Sequence, residues 1–423
     1  MKRVVVTGMG VFSPIGHGLD AFESALRKGT SGIAHWDALE EMNYVCQLCA
    51  RPAPLTHEKL SDYFSELTIK NLKHVGVLYG CMAGIDAWKD ADLLIDAEHT
   101  DWDSGTIFGA GCTGNDLTFR RFFELADKKQ IRKLGSRVVE QMMNSGVSAH
   151  LGGMLGLGNQ VSSNSSACAT GTEAFVMSYE RIAQGKAKRM LAGGCEGYSE
   201  YGWAAFDAMR VLCRNSNDNP ARGSRPMSED ASGFVPGAGA GALVLEELET
   251  AQARNAKIYA EVLGGSINAG GQRNKGTMTR PNTEGVRRCI ATAIQEANIA
   301  PTDIDLIAGH LTSTMGDVLE IQNWSEVLGL KGKDFPYINS LKSMIGHCLA
   351  ASGAIELTAA ILQLQHNFVH ASLNSENLHP LIADCVHREK IPLEMTKKRT
   401  NIVAKSSFGF GDVNSCVILK KWD

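Results

Sequence analysis

Val161–Ile182, VSSNSSACATGTEAFVMSYERI, is the stretch whose reading decides the fold. A short polar strand pattern opens it, a turn of small residues surrounds Cys168, and an Ala-rich helical pattern follows. Tyr337–Leu362, YINSLKSMIGHCLAASGAIELTAAIL, repeats that order in the second part of the chain. Further matches extend outward from these two stretches. Arg3–Gly8 (RVVVTG) corresponds to Ile258–Gly264 (IYAEVLG), each a strand running into a glycine turn. Thr106–Gly114 (TIFGAGCTG) corresponds to Asp305–Thr314 (DLIAGHLTST). Each part then closes with a strand pair, Ala187–Gly194 with Gly241–Glu246 and Asn401–Lys405 with Asn414–Lys420. Repeated strand–turn–helix units predict an α/β fold with mixed, largely parallel sheets. The reading divides the chain into residues 1–252 and 253–423, with insertions around 30–75 and 196–232 capping the longer first half. If a pseudo-twofold relates the halves, equivalent strand ends converge on one central site.

Composition narrows the function. Of 423 residues, 44 % are apolar and 21 % charged, which excludes disorder, collagen and coiled coil as the main architecture. With 42 basic and 46 acidic residues the net charge is −4, so nothing electrostatic favours nucleic acid as partner. No apolar run approaches the ~18 residues of a membrane span. The first apolar run, Val4–Val6, is far short of a signal-peptide core, so a cytoplasmic protein is expected. Eleven cysteines, an odd number spread through the chain, fit reduced thiols better than a disulfide framework. Cys46 and Cys49 form a lone C-x-x-C with no second pair to complete a zinc site.

Three residues at strand ends can do chemistry. Cys168, between small residues where a strand turns into a helix, has the placing of a nucleophile elbow. The helix N-terminus behind it is expected to favour thiolate over thiol. His310 ends the strand pattern DLIAG and precedes a hydroxyl-rich loop. His347, at the start of the second Ala-rich helix, is expected to stay neutral and to donate a hydrogen bond. No fourth ligand at familiar spacing turns these three into a zinc site. The glycine clusters are not phosphate loops: Gly233–Gly241 lacks a following Lys-Ser/Thr, and Gly8-Met9-Gly10 fails at Ser13. Phe408-Gly409-Phe410-Gly411 has the character of a flexible gate with backbone N–H groups turned to the site.

These motifs together, SACATG, HLTST, KSMIGH and SFGFG, resemble those of the β-ketoacyl-ACP synthases (ACP, acyl carrier protein), condensing enzymes of the thiolase-fold superfamily. The resemblance spans the chain from RVVVTGMGVFSPIG (3–16) to SFGFGDVNSCVILKK (407–421) and is nearest the type II elongating synthases. It implies a cytosolic homodimer, or a heterodimer with a related subunit, a five-layered αβαβα core and no organic cofactor. It implies that Cys168 takes the acyl group of acyl-ACP. The oxyanion is then held by the N–H groups of Cys168 and Phe410. His310 and His347 stabilise the enolate of malonyl-ACP as CO₂ leaves. Lys342 organises the site with Glu320 as carboxylate partner, Phe234 stands beside the malonyl carboxylate, and Phe408 and Phe410 form the gate. Arg132, Lys133 and Arg210 match positions where the acidic carrier docks, and Cys112 falls at the bottom of the acyl pocket, where a small side chain would lengthen the tunnel.

Departures point to a divergent branch. Leu311 replaces a glycine beside His310, and a leucine does not readily take a positive φ. Asp412 and Val413 stand where the family has Gly-Thr, and Ser232 and Ala238 replace acidic residues. The leading expectation is a decarboxylating synthase that extends acyl chains by two carbons in fatty acid biosynthesis. The alternative is a discrete ketosynthase of a type II polyketide or aryl-polyene pathway, paired with a chain-length subunit. A noncatalytic chain-length subunit itself would lack Cys168, and a CoA-dependent thiolase would need Cys416 as a second reactive cysteine, although Cys416 lies inside a strand pattern.

Overall fold

The computed structural model describes residues 1–96, 98–111 and 118–422. Ten strands form the path of the main sheet. In the first half they are β1 (Val4–Ser13), β2 (Ser104–Ala110), β3 (Val161–Ser162), β4 (Arg189–Glu196) and β5 (Gly239–Glu247). In the second half they are β6 (Ala260–Ala269), β7 (Leu306–Ala308), β8 (Tyr337–Asn339), β9 (Ile402–Gly409) and β10 (Val413–Lys421). The spatial order is β3-β2-β4-β5-β1 in one half and β8-β7-β9-β10-β6 in the other, the same order twice. Strand directions repeat as well. β2 is parallel to β3 and β4, as β7 is to β8 and β9. The halves meet along a short antiparallel pairing in which Val4, Val5 and Val6 face Val262, Glu261 and Ala260.

Helices fill the layers around these strands. α1 (Val75–Asp90) and α2 (Gly146–Leu155) cover the outer face of the first half. α3 (Thr170–Ala183) and α6 (Ser352–His366) each touch strands of both halves and so form the middle layer. α4 (Thr283–Ala297) covers β6 and β10, with α5 (Gly316–Leu328) beside it. The result is αβαβα, as the resemblance implies. Sequence pattern follows layer. Outer α4 is amphipathic, begins at Asn282, whose side chain accepts the Glu284 N–H, and ends at Asn298 in the left-handed conformation. Central α6 is apolar nearly all round and buried from Ser352 to Leu364, because it has a sheet on either side.

The two middle helices start in matching ways. One-turn 3₁₀ segments, Ala167–Ala169 and Leu349–Ala351, precede α3 and α6. Ala167 and Leu349 both have φ of 47°, an uncommon conformation for residues with a Cβ. Glycines permit the helices to approach: a Cβ on Gly171 would stand 2.6 Å from the Ala354 nitrogen, and one on Gly353 would stand 2.5 Å from the Thr172 nitrogen. The insertions pack on one another. Leu39, Tyr44 and Leu48 from the first share an apolar cluster with Trp203 and Leu212 from the second, and Phe234 and Leu349 join it. Cys46 and Cys49 are buried in this cluster, where loss of solvent pushes both thiols up, to about 12 and about 11. The ten described cysteines are all free and buried. Cys112 lies outside the described residues. Among the described residues, no helix is long and apolar enough to cross a membrane.

Candidate active site

Cys168, His310 and His347 meet at the ends of β3, β7 and β8. One ligand-capable atom from each lies within 4.8 Å of the others. Cys168 is the middle residue of the 3₁₀ turn that the left-handed Ala167 forces before α3. His347 Nε2 is 3.1 Å from the Cys168 sulfur. The Leu349 N–H donates to His347 Nδ1 at 3.2 Å, and Ser352 Oγ is 3.0 Å from the same nitrogen. A nitrogen that accepts a backbone N–H has no proton of its own, so the ring hydrogen is on Nε2 and points at sulfur. That arrangement suits a hydrogen-bond donor; a metal would need the Nε2 lone pair.

His310 stands edge-on to His347, ring centroids 5.4 Å apart, and edge-on to Phe408 at 6.2 Å. Its buried Nδ1 has no hydrogen-bond partner among the described residues. Burial, then the charges of Lys342 and Lys405, hold His347 well below the usual imidazole value. Burial and the same two lysines do this to His310, with His347 adding to the effect. Both rings are therefore neutral near pH 7.

The cysteine differs from the sequence expectation. A helix N-terminus lowers a thiol's pKa, yet here burial pushes the Cys168 thiol up to about 11. Lys342 and the Phe410 N–H act the other way and are outweighed. The helix end contributes a partial charge, whereas a buried sulfur loses its whole hydration shell.

Lys342 is also placed differently. Its ammonium binds Glu356, not Glu320, and both side chains are at most 2 % exposed. Glu320 instead accepts the N–H groups of His310 at 2.7 Å and Leu311 at 2.8 Å, and the Ser406 hydroxyl at 3.0 Å. It thus fixes the backbone that presents His310. Glu320 lies ten residues after His310, on α5, which folds back over the strand end; Glu356 is reached only through α6. Asp317 does similar work one turn before Glu320, accepting the Thr312 and Met227 N–H groups at 2.7 and 2.8 Å. Sequence reading missed Asp317, Ser352, Glu356 and Lys405. The available signal was a buried lysine in VAKSSFGF, since such a charge must find a carboxylate.

A cavity of about 600 Å³ leads from Cys168 and the two histidines past Phe234 and Phe410 to an exposed rim at Met315 and Leu381. Phe234 stands edge-on to His347 at 5.2 Å and packs on Phe206, which also approaches Phe410. Leu311 keeps a negative φ and packs over Gly309; the left-handed residue of that loop is Ser313, with φ of 65°. The glycine that Leu311 replaces is thus not required here. Asp412 does take a positive φ, 62°. Its side chain accepts the N–H groups of Gln272 at 2.8 Å and Asn282 at 2.7 Å, while the Gly411 N–H donates to the Met278 carbonyl at 2.7 Å. The Phe410–Asp412 turn is thereby tied to the 270–282 loop, which supplies Thr279–Pro281 to the cavity. Val413 begins β10. Arg132 and Lys133 lie in the exposed turn Ile131–Leu134, and Arg210 is exposed directly before Val211 of the cavity wall.

Known proteins resemble this chain along its whole length. The β-ketoacyl synthase N-terminal domain pattern matches residues 1–251, and the C-terminal domain pattern matches residues 259–376. The chain is 34 % identical over 425 residues to the 3-oxoacyl-[acyl-carrier-protein] synthase 2 of Vibrio harveyi, covering 99 % of each chain. Its structure superposes on a β-ketoacyl synthase from Burkholderia phymatum with a TM-score of 0.91 and 30 % identity, covering all of both chains. It also superposes, with a TM-score of 0.85 and 28 % identity over all of both chains, on a structure described as a type II PKS acyl-carrier protein in complex with its ketosynthase bound to the hexaketide. With both domain patterns matched and its length shared with such relatives, the chain belongs to the β-ketoacyl synthase family, enzymes of decarboxylating acyl condensation.

Proposed function

We propose that the protein is a 3-oxoacyl-[acyl-carrier-protein] synthase in which Cys168, His310 and His347 act on one substrate in turn. The observation that carries this reading is their meeting at the end of a single cavity, with the His347 Nε2 hydrogen aimed at the Cys168 sulfur. In the first step the sulfur attacks the thioester carbonyl of acyl-ACP. The new S–C bond replaces the bond to the carrier thiol, which leaves with the proton that cysteine gives up. The Cys168 and Phe410 N–H groups face the oxygen that becomes negative; such donors contribute ~3 kcal/mol apiece. In the second step malonyl-ACP loses CO₂, and its thioester oxygen gains negative charge as the enolate forms. His310 and His347, neutral and donating, suit that oxygen. Phe234 offers an apolar wall to the departing carboxylate. The enolate carbon attacks acyl-Cys168, sulfur leaves as thiolate and takes a proton, and a 3-oxoacyl-ACP two carbons longer is released.

Arg132, Lys133 and Arg210 supply the basic surface for an acidic carrier, an attraction that weakens with salt. A second copy of the chain, or a related subunit, fits the edge of the sheet at β3. Val161 there is 39 % exposed, and Phe119, Phe123, Val139 and Met143, in the segment between β2 and β3, are also exposed. The buried free thiols suit a reducing compartment such as the cytoplasm. The superposition on a polyketide ketosynthase favours a second reading, a discrete ketosynthase of a polyketide or aryl-polyene pathway with the same chemistry and a different acyl group. The test is incubation with a panel of acyl-ACPs, saturated and polyunsaturated, followed by intact-mass and peptide mass spectrometry. Saturated acyl groups on Cys168 support the first reading, and selective loading of polyunsaturated ones supports the second. Acylation at any other cysteine refutes both.

A further inference from the structure

Ser352 and Glu356 lie one turn apart on α6 and so share a face. Ser352 holds His347 Nδ1, and Glu356 is buried one turn further along the helix. Two ammonium groups reach that one carboxylate: Lys342 at Oε1, and Lys405 2.9 Å from Oε2. Lys405 has no exposed side-chain surface. A buried charge is costly before pairing, and one lysine would already neutralise Glu356, so the second needs another account.

Its remaining contacts supply one. Lys405 donates to Ser407 Oγ at 3.0 Å and to the Ser406 carbonyl. Ser407 Oγ is 2.9 Å from Thr172 Oγ1, four residues beyond Cys168 on α3. On β9 itself Lys405 stands opposite Ala308, two residues before His310. One ammonium thus joins the strand that ends in the gate, the helix whose Ser352 holds His347 and the helix that follows Cys168. We propose that Lys405 is a positioning residue for condensation: with Lys342 it fixes Glu356, one turn along α6 from the serine that holds His347, and through Ser407 it ties the gate strand to the helix that follows Cys168. This rests on the condensing-site reading above.

Burial disfavours the Lys405 ammonium, and Glu356 restores it in part. Removing Lys405 leaves Glu356 paired with Lys342, so a neutral replacement creates no orphan charge.

The experiment uses the full chain with Lys405→Met and Lys405→Arg. Loading of Cys168 from acyl-ACP is followed by intact mass, and condensation with malonyl-ACP is followed separately. Lys405→Met is expected to load Cys168 at near the parent rate and to condense about tenfold more slowly. Lys405→Arg restores condensation. Condensation by Lys405→Met at the parent rate overturns the proposal. So does an equal fall in loading and condensation, which marks a merely structural lysine. Should Lys405→Met not fold, Lys405→Gln carries the same test, and failure of both neutral variants to fold also assigns the lysine to structure alone. Failure of the parent protein to load Cys168 sinks the condensing-site reading instead, an outcome distinct from all of these.

Discussion

The two halves use the same strand order and the same strand-to-helix turn for different purposes. In the first half the turn holds Ala167 at φ of 47° and places Cys168 next to it; in the second it holds Leu349 at the same φ and places Ala350 there. Cys168 lines the cavity, while Ala350 packs against Gly171 and Gly194 in the middle layer. The second half instead carries His310, Lys342 and His347 on the ends of β7 and β8 and just beyond them. Duplicated architecture brings equivalent strand ends to one place, and the side chains there then divide the work. Backbone symmetry supplies convergence, and chemistry comes from breaking it.

The largest effect comes from removing the proposed nucleophile. Cys168→Ala should abolish acyl loading, and adding Ala350→Cys should not restore it, because that position faces packed helix backbone; intact mass reads both. Rescue by Ala350→Cys would mean that the two turns are chemically interchangeable and the contrast between the halves is false. The histidines come next. His310→Ala and His347→Ala should each still load an acyl group yet lose about a hundredfold in condensation, the size of one lost donor to a developing oxyanion. Equal loss in loading and condensation would place the histidines in the cysteine's step instead.

A third prediction concerns what the halves share. Gly171→Ala and Gly353→Ala each force a methyl onto the opposite helix and should destabilise by about 1–3 kcal/mol, measured as a fall in Tm. Similar falls support a symmetric contact, and a fall in one alone shows that a single helix start sets the spacing. The smallest effect is a pH dependence. Because burial raises the Cys168 thiol to about 11, the thiolate fraction grows with pH throughout the neutral range. Alkylation by iodoacetamide should therefore keep rising past pH 9, roughly tenfold per pH unit below the pKa. A plateau near pH 7 would show that the helix end and Lys342 outweigh burial after all.

Much of the fold was legible because its signals are local. Strand patterns ending in small residues, Ala-rich helices with small first turns, and the repetition of both across some 180 residues gave the paired halves. Cys168, His310 and His347 were legible because each sits at a junction that such patterns mark. Lys342 was also singled out, but with the wrong partner. Glu320 lies nearer to His310 in the chain, and nothing local shows that it is occupied by the N–H groups of His310 and Leu311. Leu311 was read through glycine's conformational freedom, whereas the loop puts its left-handed residue at Ser313. Asp412 was noted only as a departure; its hold on residues 272 and 282 spans 130 residues or more of chain.

The sequence by itself determined the doubled α/β plan, the reactive residue types and their places at strand ends, because hydrophobic period and turn chemistry are properties of neighbouring residues. Only the tertiary structure decided which carboxylate meets Lys342, that Lys405 shares it, and that the cysteine thiol is raised rather than lowered. These depend on burial and on contacts between residues far apart in the chain, and electrostatic energies follow distance and solvent exclusion, which no local pattern encodes.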